Sequence, residues 1–173
     1  MPVRSVYADI PSAYHKIAND YQIPVDVFFA VMLQESGKKA NTRFLPWPWV
    51  LNVELKPYFF DTQEQAEVAL KQFLAVNPKA QIDVGLGQIN IPAHGKLFPD
   101  KTKLLDPGTN LAYAARVLAT EFQWTLKQSK PNWWIAVGRY HAPSNQALAK
   151  NYRENVFKRC TLISQSCTHY GAI

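Results

Sequence analysis

From Val25 to Leu33 the chain carries one polar residue, Asp26, among Val, Phe, Ala, Met and Leu. A stretch apolar nearly all round predicts a central, buried helix over 25–36, opened by Pro24 and stopped by Gly37. Other segments have one apolar face. Ala13, Tyr14, Ile17, Ala18 and Tyr21 predict a helix over 12–21, and Ala66, Leu70, Phe73 and Leu74 one over 63–76. Asp106 caps and Pro107 opens a helix running to about Gln128, with a stripe of Leu111, Ala115, Leu118, Phe122 and Leu126. Pro131 opens a shorter one, NWWIAVGRYHA, which Pro143 ends. The last runs from Asn145 to Ile163 on Leu148, Tyr152, Val156 and Ile163. Two stretches break this rhythm. Trp47, Trp49, Leu51 and Val53 alternate with polar or turn residues, Lys56-Pro57 turns, and Tyr58 to Phe60 resumes, which predicts a small β-hairpin. IDVGLGQIN, residues 82–90, is β-prone and broken by two glycines, as where something approaches the backbone closely. The expected fold class is mainly α: one helical lobe, one small β-hairpin lobe, and a cleft between them as the ligand site. No repeat or linker interrupts the chain, so residues 1–173 are expected to form one domain.

The 47% hydrophobic content supports a packed core rather than disorder. The net charge of +6 favours an anionic partner, such as a wall polymer, a membrane surface or nucleic acid, or simply aids solubility. No long block of like charges and no nucleic-acid motif is present, so nucleic acid is not the expected partner. No apolar run approaches the ~20 residues of a membrane-spanning helix. His15, His94, His141 and His169 lack HExxH spacing and CxxC partners, so no metal site is expected. Cys160 and Cys167 fit a disulfide closing a short loop in an oxidising compartment; two reduced thiols in the cytosol are the alternative. A basic stretch followed by an apolar one is missing, so an exported protein would have lost its signal.

The unusual residue is Glu35. It follows Met32, Val31 and Phe28 by three, four and seven positions, on an apolar stripe of its helix. It also sits in the last turn, where the helix dipole disfavours an anion. Both effects raise a carboxyl pKa, and a carboxyl protonated near neutral pH can protonate a leaving group. Alternatively, Glu35 curls into water as an ordinary helix-end residue.

The order of four motifs adds to this. Glu35-Ser36-Gly37 is followed by VGLGQIN, then DPGTNLAYAARVL, then AVGRYHAPS. Together they resemble the soluble lytic transglycosylases, peptidoglycan-cleaving enzymes with the goose-type lysozyme fold, over roughly residues 12 to 145. Glu35-Ser36 matches the family's catalytic Glu-Ser, and Gly85-Leu86-Gly87-Gln88 its Gly-Leu-Met-Gln. Asn110 stands at the position of its helical Asn, and Tyr140 at the Tyr of its Ala-x-x-x-Tyr-Asn helix. WPWVLNVE and YFFDT are similar to the hairpin of smaller members attached to secretion, pilus and conjugation machines. There are two departures. Gly87 replaces the usual Met, which removes a side chain from the cleft floor, and His141-Ala142-Pro143 replaces Asn-Ala-Gly.

The resemblance implies that Glu35 is the catalytic acid, with Ser36, Gly85, Gln88, Tyr140 and His141 in contact with substrate. Glu35 would protonate the bond between N-acetylmuramic acid and N-acetylglucosamine, then deprotonate the C6 hydroxyl that closes a 1,6-anhydro ring. No cofactor is required. Tyr140 would hydrogen-bond Glu35 or the N-acetyl group; Ser36 would orient Glu35, bind sugar or cap local carbonyls; His141 would bind sugar, tune Glu35 or bond a backbone carbonyl. Trp47, Trp49, Trp133 and Trp134 could stack on sugar rings, but most of them are expected in the core. The implied setting is the periplasm, as a monomer serving a secretion, pilus or conjugation apparatus. A rival hydrolase would need a second carboxylate, with Asp83 ahead of Glu54 and Asp61. A wall-binding module without catalysis is the second rival.

Overall fold

A computed structural model describes residues 10–173. Its helical lobe is built around α2 (Val25–Ser36), in which every residue from Val27 to Leu33 is buried. Helix α1 (Ser12–Asp20) packs on one side of it and α7 (Gln146–Ile163) on another. Helices α5 (Pro107–Lys127) and α6 (Trp133–His141) complete the lobe, with α6 lying between α5 and α7. Side-chain caps start these helices where the sequence places them. Asp106 accepts from the Thr109 amide and Asn145 from that of Leu148. The start of α6 differs slightly from expectation. Asn132, not Pro131, opens it, because Asn132 Oδ1 takes the amides of both Trp134 and Ile135.

The β lobe is larger than one hairpin. Strands β1 (Gly37–Ala40) and β2 (Arg43–Pro46) form a separate two-stranded sheet directly after α2. Strands β3 (Val50–Val53), β4 (Lys56–Phe59), β5 (Ile82–Val84) and β6 (Ile89–Asn90) form an antiparallel sheet in the order β4-β3-β5-β6. The β3–β4 turn is not at Lys56-Pro57. It is at Glu54-Leu55, both left-handed (φ 48° and 68°), which gives the two-residue loop that matches strand twist. Pro57 falls inside β4, an edge strand, where its missing N–H is tolerated. Helix α3 (Gln63–Val76) lies against this sheet, capped by Thr62, and Tyr58 meets Phe73. A short helix α4 (Ile91–His94) follows β6, capped by Asn90.

Cys160 and Cys167 are disulfide-bonded. The bridge joins the end of α7 to the following turn, and the Cys167 carbonyl accepts from Trp134 Nε1 at 3.2 Å. By loop entropy it contributes roughly 2 kcal/mol. Among the described residues, no helix is long and apolar enough to cross a membrane.

Gly37 ends α2 as expected, but with extended rather than left-handed backbone (φ −58°, ψ 128°). Its need is for space. A methyl there would overlap the Phe44 ring of β2 and the Leu33 carbonyl. Gly37→Ala should therefore lower stability by about 1–3 kcal/mol, read as a fall in the urea midpoint.

Candidate active site

A cleft of about 790 Å³ runs between the lobes, and Glu35, Asp83, Gln88, Tyr140, His141 and Tyr152 lie on its walls. Helix α2 delivers Glu35 from the helical side. Strands β3, β5 and β6 deliver Asn52, Asp83 and Asn90 from the sheet side, where the three are register neighbours. Period-two alternation puts these residues on the cleft face, while Ile82, Val84 and Ile89 enter the core.

Glu35 does not curl into water. The Tyr152 hydroxyl, from α7, donates to its Oε1. Burial pushes the Glu35 pKa up from 4.5 to about 7; the Tyr152 hydrogen bond opposes this, and the nearby Asp83 charge adds to it. Asp83 is itself raised, first by burial, while a 2.8 Å bond from Asn90 Nδ2 and the nearby His141 pull it down. Burial also holds Tyr140 and Tyr152 well above the ordinary tyrosine range, so both remain hydroxyl donors. Glu35 thus keeps a proton available near neutrality, which is what a general acid requires.

The glycine turn between β5 and β6 is set by Asn110. This buried side chain donates to the Val84 and Leu104 carbonyls, each at 2.8 Å, and accepts from the Gly87 amide at 2.8 Å. Gly85 is left-handed (φ 74°), and its open side is filled by Asn110 rather than by the cleft. Gln88 is also left-handed (φ 46°); its Nε2 donates to Gly85 O at 2.9 Å, which fixes the side chain on the cleft wall. A Cβ at Gly87 would lie 2.6 Å from Ala114 Cβ and 2.8 Å from the Tyr140 hydroxyl. The missing side chain therefore makes room for α5 and Tyr140 and does not open the cleft floor. Tyr140 uses that room: its hydroxyl donates to Gly87 O at 2.6 Å, not to Glu35.

Other expected residues divide between cleft and core. Ser36 is buried and donates to Met32 O at 3.0 Å, the local capping role. His141 is exposed at the end of α6, and its ring stacks on Tyr152 (centroids 4.5 Å, 4°). Asp83 is the one of the three candidate second carboxylates on the cleft wall. Glu54 accepts from the Gln81 amide at a hairpin tip, and Asp61 is exposed beside α3. None of Trp47, Trp49, Trp133 and Trp134 lines the cleft. Trp133 stacks on Phe122, Trp134 is fully buried, and Trp47 meets Trp49 edge-on. Tyr152 is the cleft side chain that the pattern concealed. It reads as one member of the α7 stripe, and only the hydroxyl separates it from a core Phe.

Two outcomes follow from this geometry. Gly87→Ala should break the Tyr140–Gly87 hydrogen bond, lowering stability by about 1–3 kcal/mol, measurable by urea denaturation. Glu35 binds its proton to about pH 7 when folded but only to about 4.5 when unfolded. Its contribution to stability is thus complete below pH 4.5 and lost as pH rises through 7, on the order of 3 kcal/mol in all. Glu35→Gln removes that loss, so the variant should overtake the wild type in urea midpoint between pH 5 and pH 8.

No curated protein and no solved structure matches the chain. A family model does, the transglycosylase SLT domain, over residues 12–159. That span holds Glu35, the Gly85–Gln88 turn, Asn110, Tyr140 and also Tyr152. The chain belongs to the SLT transglycosylase family, whose domains act on peptidoglycan.

Proposed function

We propose that this protein is a lytic transglycosylase that cleaves the β-1,4 bond between N-acetylmuramic acid and N-acetylglucosamine and leaves 1,6-anhydromuramic ends. The observation that carries this reading is the Glu35 carboxyl, pushed up to about 7 on the wall of the interlobe cleft. Glu35 protonates the glycosidic oxygen, which leaves with N-acetylglucosamine. The muramic C1 becomes oxocarbenium-like, supported by its own N-acetyl oxygen. Glu35, now a carboxylate, takes the proton of the C6 hydroxyl as that oxygen bonds to C1. The proton that Glu35 gave up is thereby restored, and no water is consumed. Tyr152 holds the carboxyl throughout. Gln88, Tyr140 and His141 form the wall against the sugars, with Gly85 and Ser36 acting behind them through the turn and the helix end.

The Cys160–Cys167 bridge supports an oxidising compartment, the periplasm. The similarity of WPWVLNVE and YFFDT to smaller family members supports work for a secretion, pilus or conjugation apparatus. One observation favours a second reading. Asp83 stands in the same cleft and acts on Glu35, so it could serve a water as the second carboxylate of a hydrolase.

Digestion of purified peptidoglycan with mass analysis of the soluble muropeptides separates these readings. Products one water lighter than reducing ends are expected, with Glu35→Gln slower by about 10²–10⁴-fold. Full-weight reducing ends that vanish in Asp83→Asn would establish the hydrolase instead. No products from the wild type would leave a binding module. Because the acid form is needed, kcat/KM should fall as pH rises through about 7, where Glu35 loses its proton.

A further inference from the structure

His141 lines the cleft and packs flat against another of its side chains. It ends α6, exposed on one face, and its other face lies flat on the Tyr152 ring. Tyr152 is buried and gives its hydroxyl to Glu35. An exposed ring is not needed to fill a core, so a parallel stack at 4.5 Å restrains Tyr152 rather than packing the lobe. Tyr152 comes from α7 and Glu35 from α2, and the hydroxyl must meet Oε1 across that helix contact. A phenol ring free to tilt would lose the bond first.

The groups that face this stack can be named from each element around it. Helix α2 supplies Glu35, β5 supplies Asp83, α6 supplies Tyr140 and α7 supplies Tyr152 with Arg159 acting on it. Burial lowers the His141 pKa while the Asp83 charge opposes this, and the same charge acts on Glu35 and Tyr140. An imidazolium over the Tyr152 ring would draw electron density from the phenol and strengthen its bond to a carboxylate. A neutral imidazole would leave Glu35 freer to keep its proton. Asp83, opposite, offsets the imidazolium charge.

We propose that His141 is a positioning residue: stacked on Tyr152 and faced by Asp83, it fixes the phenol that holds Glu35. The proposal rests on the reading of Glu35 as the acid. It assigns to His141 a task beyond forming part of the wall against the sugars. It also separates a geometric part, which any flat ring can supply, from an electrostatic part, which needs the imidazole.

The test compares wild type, His141→Ala, His141→Asn and His141→Phe. Muropeptide release from purified peptidoglycan is followed from pH 4.5 to 8.5. The Glu35 carboxyl is titrated by carbon NMR in the same proteins without substrate, and urea midpoints check that each is folded. His141→Ala and His141→Asn should lose roughly 10- to 100-fold in kcat, with KM within about twofold. In both, the Glu35 titration should move upward by about half a unit or more, because the hydroxyl that favours the carboxylate is no longer held in place. His141→Phe should recover at least about a third of the wild-type kcat, with Glu35 titrating closer to its wild-type position than in His141→Ala. A rise in KM at constant kcat in His141→Ala would make His141 a sugar ligand and overturn the proposal. So would a Glu35 titration unmoved in His141→Ala, or a His141→Phe variant no better than His141→Ala. If the wild type cleaves nothing, the reading of the reaction fails. The NMR titration then decides the positioning role alone.

Discussion

A carboxyl that keeps its proton near neutral pH must be kept from water, and most of this fold serves that end for Glu35. The apolar run of α2 sinks its end into the core. Desolvation then outweighs the Tyr152 hydrogen bond, which favours the ionised form. The balance is instructive. With no hydrogen bond the carboxyl would be poorly aimed; with several it would ionise and lose its use as an acid. One donor, from a tyrosine that stays protonated, aims the group and leaves its proton in place.

The opposite wall depends on a buried amide. Asn110 satisfies three backbone groups of the β lobe and its flank from a position inside α5. It is therefore the polar joint between lobes, and its amide uses both donor and acceptor ends, which neither Asp nor Leu could do. The two glycines exist for this joint and for Tyr140. Gly85 turns around Asn110, and Gly87 admits the Tyr140 hydroxyl to its own carbonyl. Tyr140 thus belongs to the frame of the cleft as well as to its surface.

Periodicity and capping residues made the helices legible: α2 and α3 run as expected, and α5 and α7 differ only at their ends. Glu35 was legible because an acid on an apolar stripe breaks the pattern. The β lobe was harder. Lys38, Lys39 and Arg43 in β1 and β2 carry no alternation of apolar and polar residues, and Glu54-Leu55 lacks the Gly or Asn that marks a primed turn. Tyr152 was illegible for a different reason. The motif resemblance stopped near residue 145, and a tyrosine on a helical stripe gives no sign of where its hydroxyl points. Likewise, Gly87 read as a lost side chain, because sequence cannot show that Ala114 and Tyr140 already occupy that space.

The contacts that make the acid join distant parts of the chain. Glu35 and Tyr152 are 117 residues apart, Tyr140 and Gly87 are 53 apart, and Gly87 and Asn110 are 23 apart. A nascent or partly folded chain carries the whole Glu-Ser motif, yet its Glu35 is an ordinary carboxylate, ionised at neutral pH and without a partner. The site is assembled only when α7, far along the chain from α2, docks against it and brings Tyr152 to Glu35. The raised carboxyl is thus a late product of folding, and an incompletely folded chain holds an ordinary carboxylate at this position.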